Sequence, residues 1–224
     1  MSVAAIRIVK KSFFTDDILR LRLATDLPIE FKAGQYILLG LDSEELKPFS
    51  LAIAPDGSGE LECHIRKNPA SPWMQKLFSK KQGETLYWQG PIDHVSLKAQ
   101  AMPTIFVAGG TGFSLVQSLL EALLKTQPTF PIHVYWGVRQ AADLYQHDWM
   151  QQLAQQHQNI AYTAVVSEPD ADWQGETGAV HEKVVDDHPD LTGHRVYLCG
   201  PPMMLPLAKQ LFITAGLDEQ HFIA

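Results

Sequence analysis

Cysteine is scarce in this sequence: Cys63 and Cys199 are the two present. Two thiols do not supply the four thiolates of an iron–sulfur cluster or the disulfide framework of a small secreted domain. Electron chemistry here therefore rests on an organic cofactor or a bound partner. Long apolar runs are missing as well. No stretch approaches the ~20 apolar residues that a membrane span requires, and Met1–Arg7 lacks the apolar h-region of a secretory signal. The expectation is a cytoplasmic protein with no membrane span. Positive charge is in deficit, with 18 Lys and Arg against 25 Asp and Glu and a formal net charge of −7. Such a field repels a polyanion and argues against a nucleic-acid partner. Neither G-x-x-x-x-G-K-[ST] nor H-E-x-x-H occurs, so a P-loop nucleotidase and a zinc peptidase lack support. The nine histidines are scattered, and most are expected at surface or turn positions rather than as metal ligands.

What is present is ample apolar material, 46% of 224 residues, for one large core or two small ones. The pattern changes near residue 100. From Val3 to about Lys98, short period-two runs recur between turn residues: Ile6–Val9, Leu19–Leu23, Tyr36–Leu39 and Leu61–Arg66. They predict an antiparallel sheet or barrel, with Arg20 and Arg22 facing water. Ser71 as N-cap and Pro72 at the first helical position predict a helix through Trp73–Phe78 whose first-turn amides can hold an anion. After Met102-Pro103 the pattern alternates between strand and helix. Strands are predicted at Thr104–Ala108, Ile132–Trp136, Tyr162–Val166 and Arg195–Leu198. Helices are predicted at Phe113–Leu124, from about Ala142 to Gln156, shortly after Ala179, and over Met203–Ala215. Such alternation predicts a parallel sheet covered on both faces. The expected fold is two-domain: an antiparallel β-barrel over 1–100, then an α/β parallel-sheet domain over 101–224.

Gly109-Gly110-Thr111-Gly112 falls between a buried strand and a helix, where glycines let the backbone approach a pyrophosphate and the helix N-terminus supplies unpaired amides. A tight connection with no ligand reads the same way. Gly112-Phe113-Ser114 resembles the start of a hydrolase nucleophile elbow, but Val116 stands where that turn needs glycine. Lys47-Pro48-Phe49-Ser50 follows Gly34-Gln35-Tyr36; proline suits a strand edge, and alone the segment is an ordinary barrel strand.

In their order along the chain, Ala33–Tyr36, Lys47–Ser50, Gly109–Ser114, Tyr135–Arg139 and Cys199–Met203 resemble the ferredoxin-NADP reductase superfamily. Within it, they are most similar to the small bacterial NAD(P)H-flavin reductases, over about Ile6 to Leu217. The resemblance implies a flavin domain followed by a pyridine-nucleotide domain, with hydride passing from nicotinamide C4 to flavin N5. It implies a flavin-binding set of Lys47, Pro48, Phe49, Ser50, His64 and Ile65, with the Ser50 hydroxyl near N5. Gly109, Gly110, Thr111 and Gly112 would hold the nucleotide pyrophosphate, and Cys199, Gly200 and Pro201 would lie at the nicotinamide. Ser50 and Cys199 are thus the residues next to the reacting atoms. Arg139 lies just past the second strand of the α/β half, where no carboxylate stands, and tilts the choice toward NADPH while leaving NADH usable. No strong acid or base is required, because the cofactors carry the chemistry and the protein aligns them.

Two departures bear on the flavin. Lys47 stands where the family motif has arginine, which keeps the charge but loses the planar fork that grips phosphate at two points. The sequence stops at Phe222-Ile223-Ala224, where many members continue to an aromatic residue over the flavin. Both lead to the expectation of an exchangeable flavin (riboflavin, FMN or FAD) and of an NAD(P)H:flavin oxidoreductase that releases it reduced. The alternative is a reductase that keeps its flavin and passes electrons to a ferredoxin or oxygenase partner. Intact Ser50 and Cys199 disfavour a third reading, a subunit that keeps the fold without turnover.

Overall fold

Period-two runs place alternate side chains on opposite faces of a strand, and in the first half of the chain they bury one face each. The computed structural model describes Ser2–Ala224. Its strands here are β1 (Ala4–Thr15), β2 (Ile18–Ala24), β3 (Tyr36–Gly40), β4 (Leu46–Ser50) and β5 (Leu61–Arg66); helix α1 (Pro72–Ser79) and strand β6 (Thr85–Ile92) follow. They form a six-stranded sheet in the order β4-β3-β6-β1-β2-β5, every pairing antiparallel. The edge strands β4 and β5 approach each other where the Ala52 amide donates to the Glu62 carbonyl at 2.8 Å. The sheet thus curls toward a barrel that stays open, with no strand ladder between β4 and β5 among the described residues. Leu19, Leu21 and Leu23 of β2 are buried with Ile37, Leu39, Leu61 and Ile65. Helix α1 starts as expected: Pro72 stands in its first turn and the Ser71 hydroxyl accepts from the Met74 amide at 3.2 Å. It buries Trp73 and Leu77 against this core, each contributing about 1.5–3 kcal/mol.

The second half alternates strand and helix: β7 (Thr104–Gly109), α2 (Phe113–Leu124), β8 (Ile132–Val138), α3 (His147–Gln156), β9 (Ile160–Val166), β10 (Glu176–Thr177), α4 (Val180–Asp187), β11 (Arg195–Cys199), α5 (Met204–Thr214) and β12 (Phe222–Ile223). The strands pair in parallel in the order β10-β9-β8-β7-β11-β12. β7 is buried along its whole length, as a central parallel strand must be. Val180, Val184, Ala208 and Phe212 of α4 and α5 pack on Ile105, Val107, Val196 and Leu198. The chain separates into two compact units. The first reaches to Leu97 and includes Gln117–Thr126; the second comprises Lys98–Val116 and Gln127–Ala224.

Two expectations need correction. The helix predicted from about Ala142 is a 3₁₀ turn at Ala141–Asp143, a break at Leu144 (ψ 61°), and α3 from His147; buried Leu144 takes a non-helical backbone there. Arg20 and Arg22 do not simply face water but turn to the buried carboxylate of Glu62. Among the histidines, His64 is buried and His133 is half-buried beside His188.

Candidate functional site

In the first unit the residues of the flavin motif lie on a sheet edge. β4 ends the strand order on one side and β5, with His64 and Ile65, ends it on the other. Strand parity puts Pro48 and Ser50 on one face of β4, opposite Leu38 and Tyr36, and puts Lys47 and Phe49 on the other. The Phe49 ring stacks on Trp73 of α1, with centroids 6.1 Å apart and planes 17° apart. Ser50 is half-buried, and its hydroxyl makes no hydrogen bond to a protein group among the described residues. A half-buried, unpaired hydroxyl on an exposed strand edge fits the rim of a flavin ring. The segment after Ser50 is firmly held: Ser118 Oγ donates to the Ile53 carbonyl at 2.7 Å, the Ala54 amide donates to Glu121 at 2.9 Å, and Lys125 Nζ donates to the Pro55 carbonyl at 2.5 Å.

Lys47 fits a flavin phosphate poorly. Its ammonium is already paired with Glu45 at 2.7 Å and sits 5.2 Å over the Trp73 ring. Beside His64, β5 carries a residue that sequence reasoning missed. Glu62 is fully buried, and it accepts from Arg20 Nε at 2.9 Å and from Arg22 Nε at 2.7 Å. His64 Nε2 lies 2.9 Å from the same carboxylate. Burial alone would raise the Glu62 carboxyl, but hydrogen bonds from His64, Arg20 and Arg22 outweigh it and hold it at about 2. An ionised carboxylate only accepts, so Nε2 is the donor. Burial keeps the His64 imidazole below its usual range, against the pull of Glu62. The network anchors the strand that presents His64 and Ile65.

In the second unit, parallel neighbours β7 and β11 end side by side, Ala108 opposite Cys199. The turns that follow touch backbone to backbone. A Cβ on Gly109 would lie 2.7 Å from Pro201 Cδ, one on Gly112 would lie 2.2 Å from the Cys199 carbonyl oxygen, and one on Gly200 would lie 3.2 Å from Gly109 Cα. Gly110 differs: its surroundings are open, and glycine is favoured by its φ of +55°. Thr111 completes the 3₁₀ turn of Gly110–Gly112 that leads into α2. Trp136 holds this turn from below, donating from Nε1 to the Gly110 carbonyl at 2.9 Å and stacking on Phe113 with centroids 3.8 Å apart. Ser114, in the first turn of α2, is buried with its hydroxyl unpartnered. An open Gly110 backbone, a helix N-terminus and an unsatisfied buried hydroxyl suit a pyrophosphate.

Cys199 is half-buried at the end of β11, and burial pushes its thiol up to about 11, so it stays protonated near neutrality. Arg139 is exposed immediately past β8, and its carbonyl accepts from the Glu168 amide at 2.8 Å. The fold thus brings a carboxylate-bearing residue to the neighbouring strand end, which the sequence around Arg139 did not reveal. A separate cavity of about 700 Å³, lined by His147, Tyr162, Trp173 and Glu176, contains none of the predicted site residues.

Residues 5–97 match an oxidoreductase FAD-binding domain and residues 106–210 an oxidoreductase NAD-binding domain. Across 198 residues the chain is 32% identical to the NAD(P)H-flavin reductase of Vibrio harveyi, covering 85% of this chain and 83% of that protein. The chain belongs to the ferredoxin-NADP reductase superfamily. Another member, the CDP-6-deoxy-L-threo-D-glycero-4-hexulose-3-dehydrase reductase of Yersinia pestis, is 38% identical over 208 residues, covering 92% of this chain and 63% of that protein. The first curated relatives matched are longer, and the chain spans somewhat less than two thirds of their length. The ferredoxin reductase of carbazole 1,9a-dioxygenase shares the fold, with a TM-score of 0.89 at 23% identity over 99% of this chain and 68% of that one. The two halves of the chain thus correspond to the FAD-binding and NAD-binding domains of oxidoreductases. Among the described residues, no helix is long and apolar enough to cross a membrane.

Proposed function

We propose that the protein is an NAD(P)H:flavin oxidoreductase that takes flavin as a second substrate and releases it reduced, with residues 1–100 serving the flavin and 101–224 the nucleotide. The observation that carries this reading is Lys47: the one cation of the flavin motif is held by Glu45 instead of standing free for a phosphate. A flavin recognised through its ring alone exchanges readily. When both are bound, nicotinamide and isoalloxazine supply the hydride transfer themselves. The Ser50 hydroxyl would supply a hydrogen-bond donor to the flavin ring, and the edge backbone of Pro48–Phe49, with His64 and Ile65 on β5, would align it. Gly109–Gly112 and the first turn of α2 hold the pyrophosphate. Cys199, with Gly200 and Pro201, leaves room for the nicotinamide, and its protonated thiol adds no charge beside the ring. Arg139 lies where it can pair with a 2′-phosphate, and Glu168 nearby can serve ribose hydroxyls. A flavin reductase relative that this chain covers over most of its length supports the reading.

The second reading, a reductase that keeps its flavin and passes electrons to a protein, is favoured by relatives such as the reductase component of the naphthalene 1,2-dioxygenase system. Flavin content separates the two. After dialysis the purified protein is expected to be nearly colourless, with well under one flavin per chain. A stoichiometric, dialysis-resistant flavin spectrum would favour the second reading.

A further inference from the structure

We propose that Glu45 is a specificity-determining residue for the flavin: its carboxylate occupies Lys47 as a flavin 5′-phosphate would, so that the protein prefers a phosphate-free flavin to a phosphorylated one. The inference rests on the flavin reading of the first unit. Glu45 and Lys47 are two residues apart where β4 begins, a spacing that puts both side chains on one side of the strand. Glu45 Oε1 lies 2.7 Å from Lys47 Nζ, and the same ammonium rests 5.2 Å from the centroid of the Trp73 ring. Trp73 is itself buried and stacked on Phe49, so the ammonium lies against a fixed aromatic surface.

The rest of the β3–β4 turn adds to the effect. Asp42, Glu44 and Glu45 place three carboxylates within four residues of chain. The Asp42 carboxylate accepts from the Glu44 amide at 2.9 Å and the Glu45 amide at 3.0 Å, bonds that hold the turn and its charges in place. A phosphate carrying about −1.5 to −2 charge must displace Glu45 from Lys47 and then remain beside a freed carboxylate and its neighbours. A neutral ribityl chain meets no such cost. Glu45 and Lys47 are solvent-exposed to 59% and 36%, so the discrimination is modest and screened by salt.

The test is a fluorescence titration of flavin-free protein with riboflavin and with FMN, on the wild type and Glu45→Gln, at low and high ionic strength. The wild type is expected to bind riboflavin more tightly than FMN. Glu45→Gln should tighten FMN by about 3- to 10-fold and leave riboflavin within about twofold, and added salt should narrow the wild-type gap. If both flavins bind and the substitution moves them equally or not at all, this inference fails while the flavin reading stands. Tighter wild-type binding of FMN than riboflavin also overturns it alone. Failure of both flavins to bind overturns the inference and the flavin reading together.

Discussion

In the proposed function, Ser50 is the residue that stands next to the reacting atoms. Its hydroxyl is unpaired among the described residues, so under the proposed function Ser50→Ala would remove a bond to the flavin and little that holds the fold. One positioned hydrogen bond contributes about 1.5–3 kcal/mol, so the hydride-transfer rate is expected to fall roughly ten- to a hundredfold with the unfolding midpoint unchanged. Stopped-flow reduction at the wild-type rate would make Ser50 a strand residue only. Glu62 gives the opposite pattern. Glu62→Gln leaves Arg20, Arg22 and His64 facing a neutral amide and is expected to cost about 2–4 kcal/mol in urea unfolding at pH 7. Its carboxyl lies at about 2 in the folded chain against 4.5 unfolded, so its stabilisation is full above pH 4.5 and is lost as pH falls toward 2. His133 adds to the acid loss at higher pH. Burial, with His188 beside it, lowers it from 6.5 to about 4, so the unfolded chain binds the extra proton between those values and stability drops as pH falls through them. Urea midpoints from pH 7 to 3 should therefore fall progressively. His133→Asn should flatten the curve above pH 4 and Glu62→Gln below it, whereas a profile unaffected by either substitution would refute this assignment.

At the scale of the element, the two turns after β7 and β11 behave as one piece, because the Gly109–Gly112 backbone packs on Cys199–Pro201. Their glycines differ in the room each has for a side chain. Gly112→Ala forces a Cβ to 2.2 Å from a carbonyl oxygen and should cost about 1–3 kcal/mol, with loss of nucleotide affinity. Gly110→Ala meets open space and should cost only about 1 kcal/mol for its positive φ. Unfolding midpoints and NADPH titrations of the pair check the order; equal effects would mean that the turns do not lock together. Much of this framework was legible in the sequence. β2 alternated cleanly, β7 was continuously apolar, and α1 had both its cap and its proline, so local signals and tertiary packing agreed. The break at Leu144 was not legible, because one buried side chain overrode a helical pattern. β10 and β12 are two residues each, too short to carry a period, and Gly90-Pro91 interrupts the β6 pattern. Of the site, the ordered motifs were visible. The Glu62 network was not: its signal, Arg20 and Arg22 on one strand against His64 and Glu62 on another, emerges only once β2 and β5 are set in register. The Lys47–Glu45 pairing and the anchoring of Ile53–Pro55 by Ser118, Glu121 and Lys125 likewise required coordinates.

For the molecule as a whole, a net charge of −7 and the Glu45–Lys47 pair both weaken attraction to phosphorylated ligands. Under the proposed function, nucleotide binding would depend on the local turn, helix terminus and Arg139 rather than on a long-range field, and flavin binding on its ring. The central claim is that flavin arrives as a substrate. The most direct measurement is the rate of NAD(P)H oxidation by flavin-free protein as riboflavin is added. The account predicts almost no oxidation without flavin and a hyperbolic rise to saturation with it, the rate falling with Ser50→Ala at every concentration. A rate that is substantial without added flavin and indifferent to its addition would contradict it.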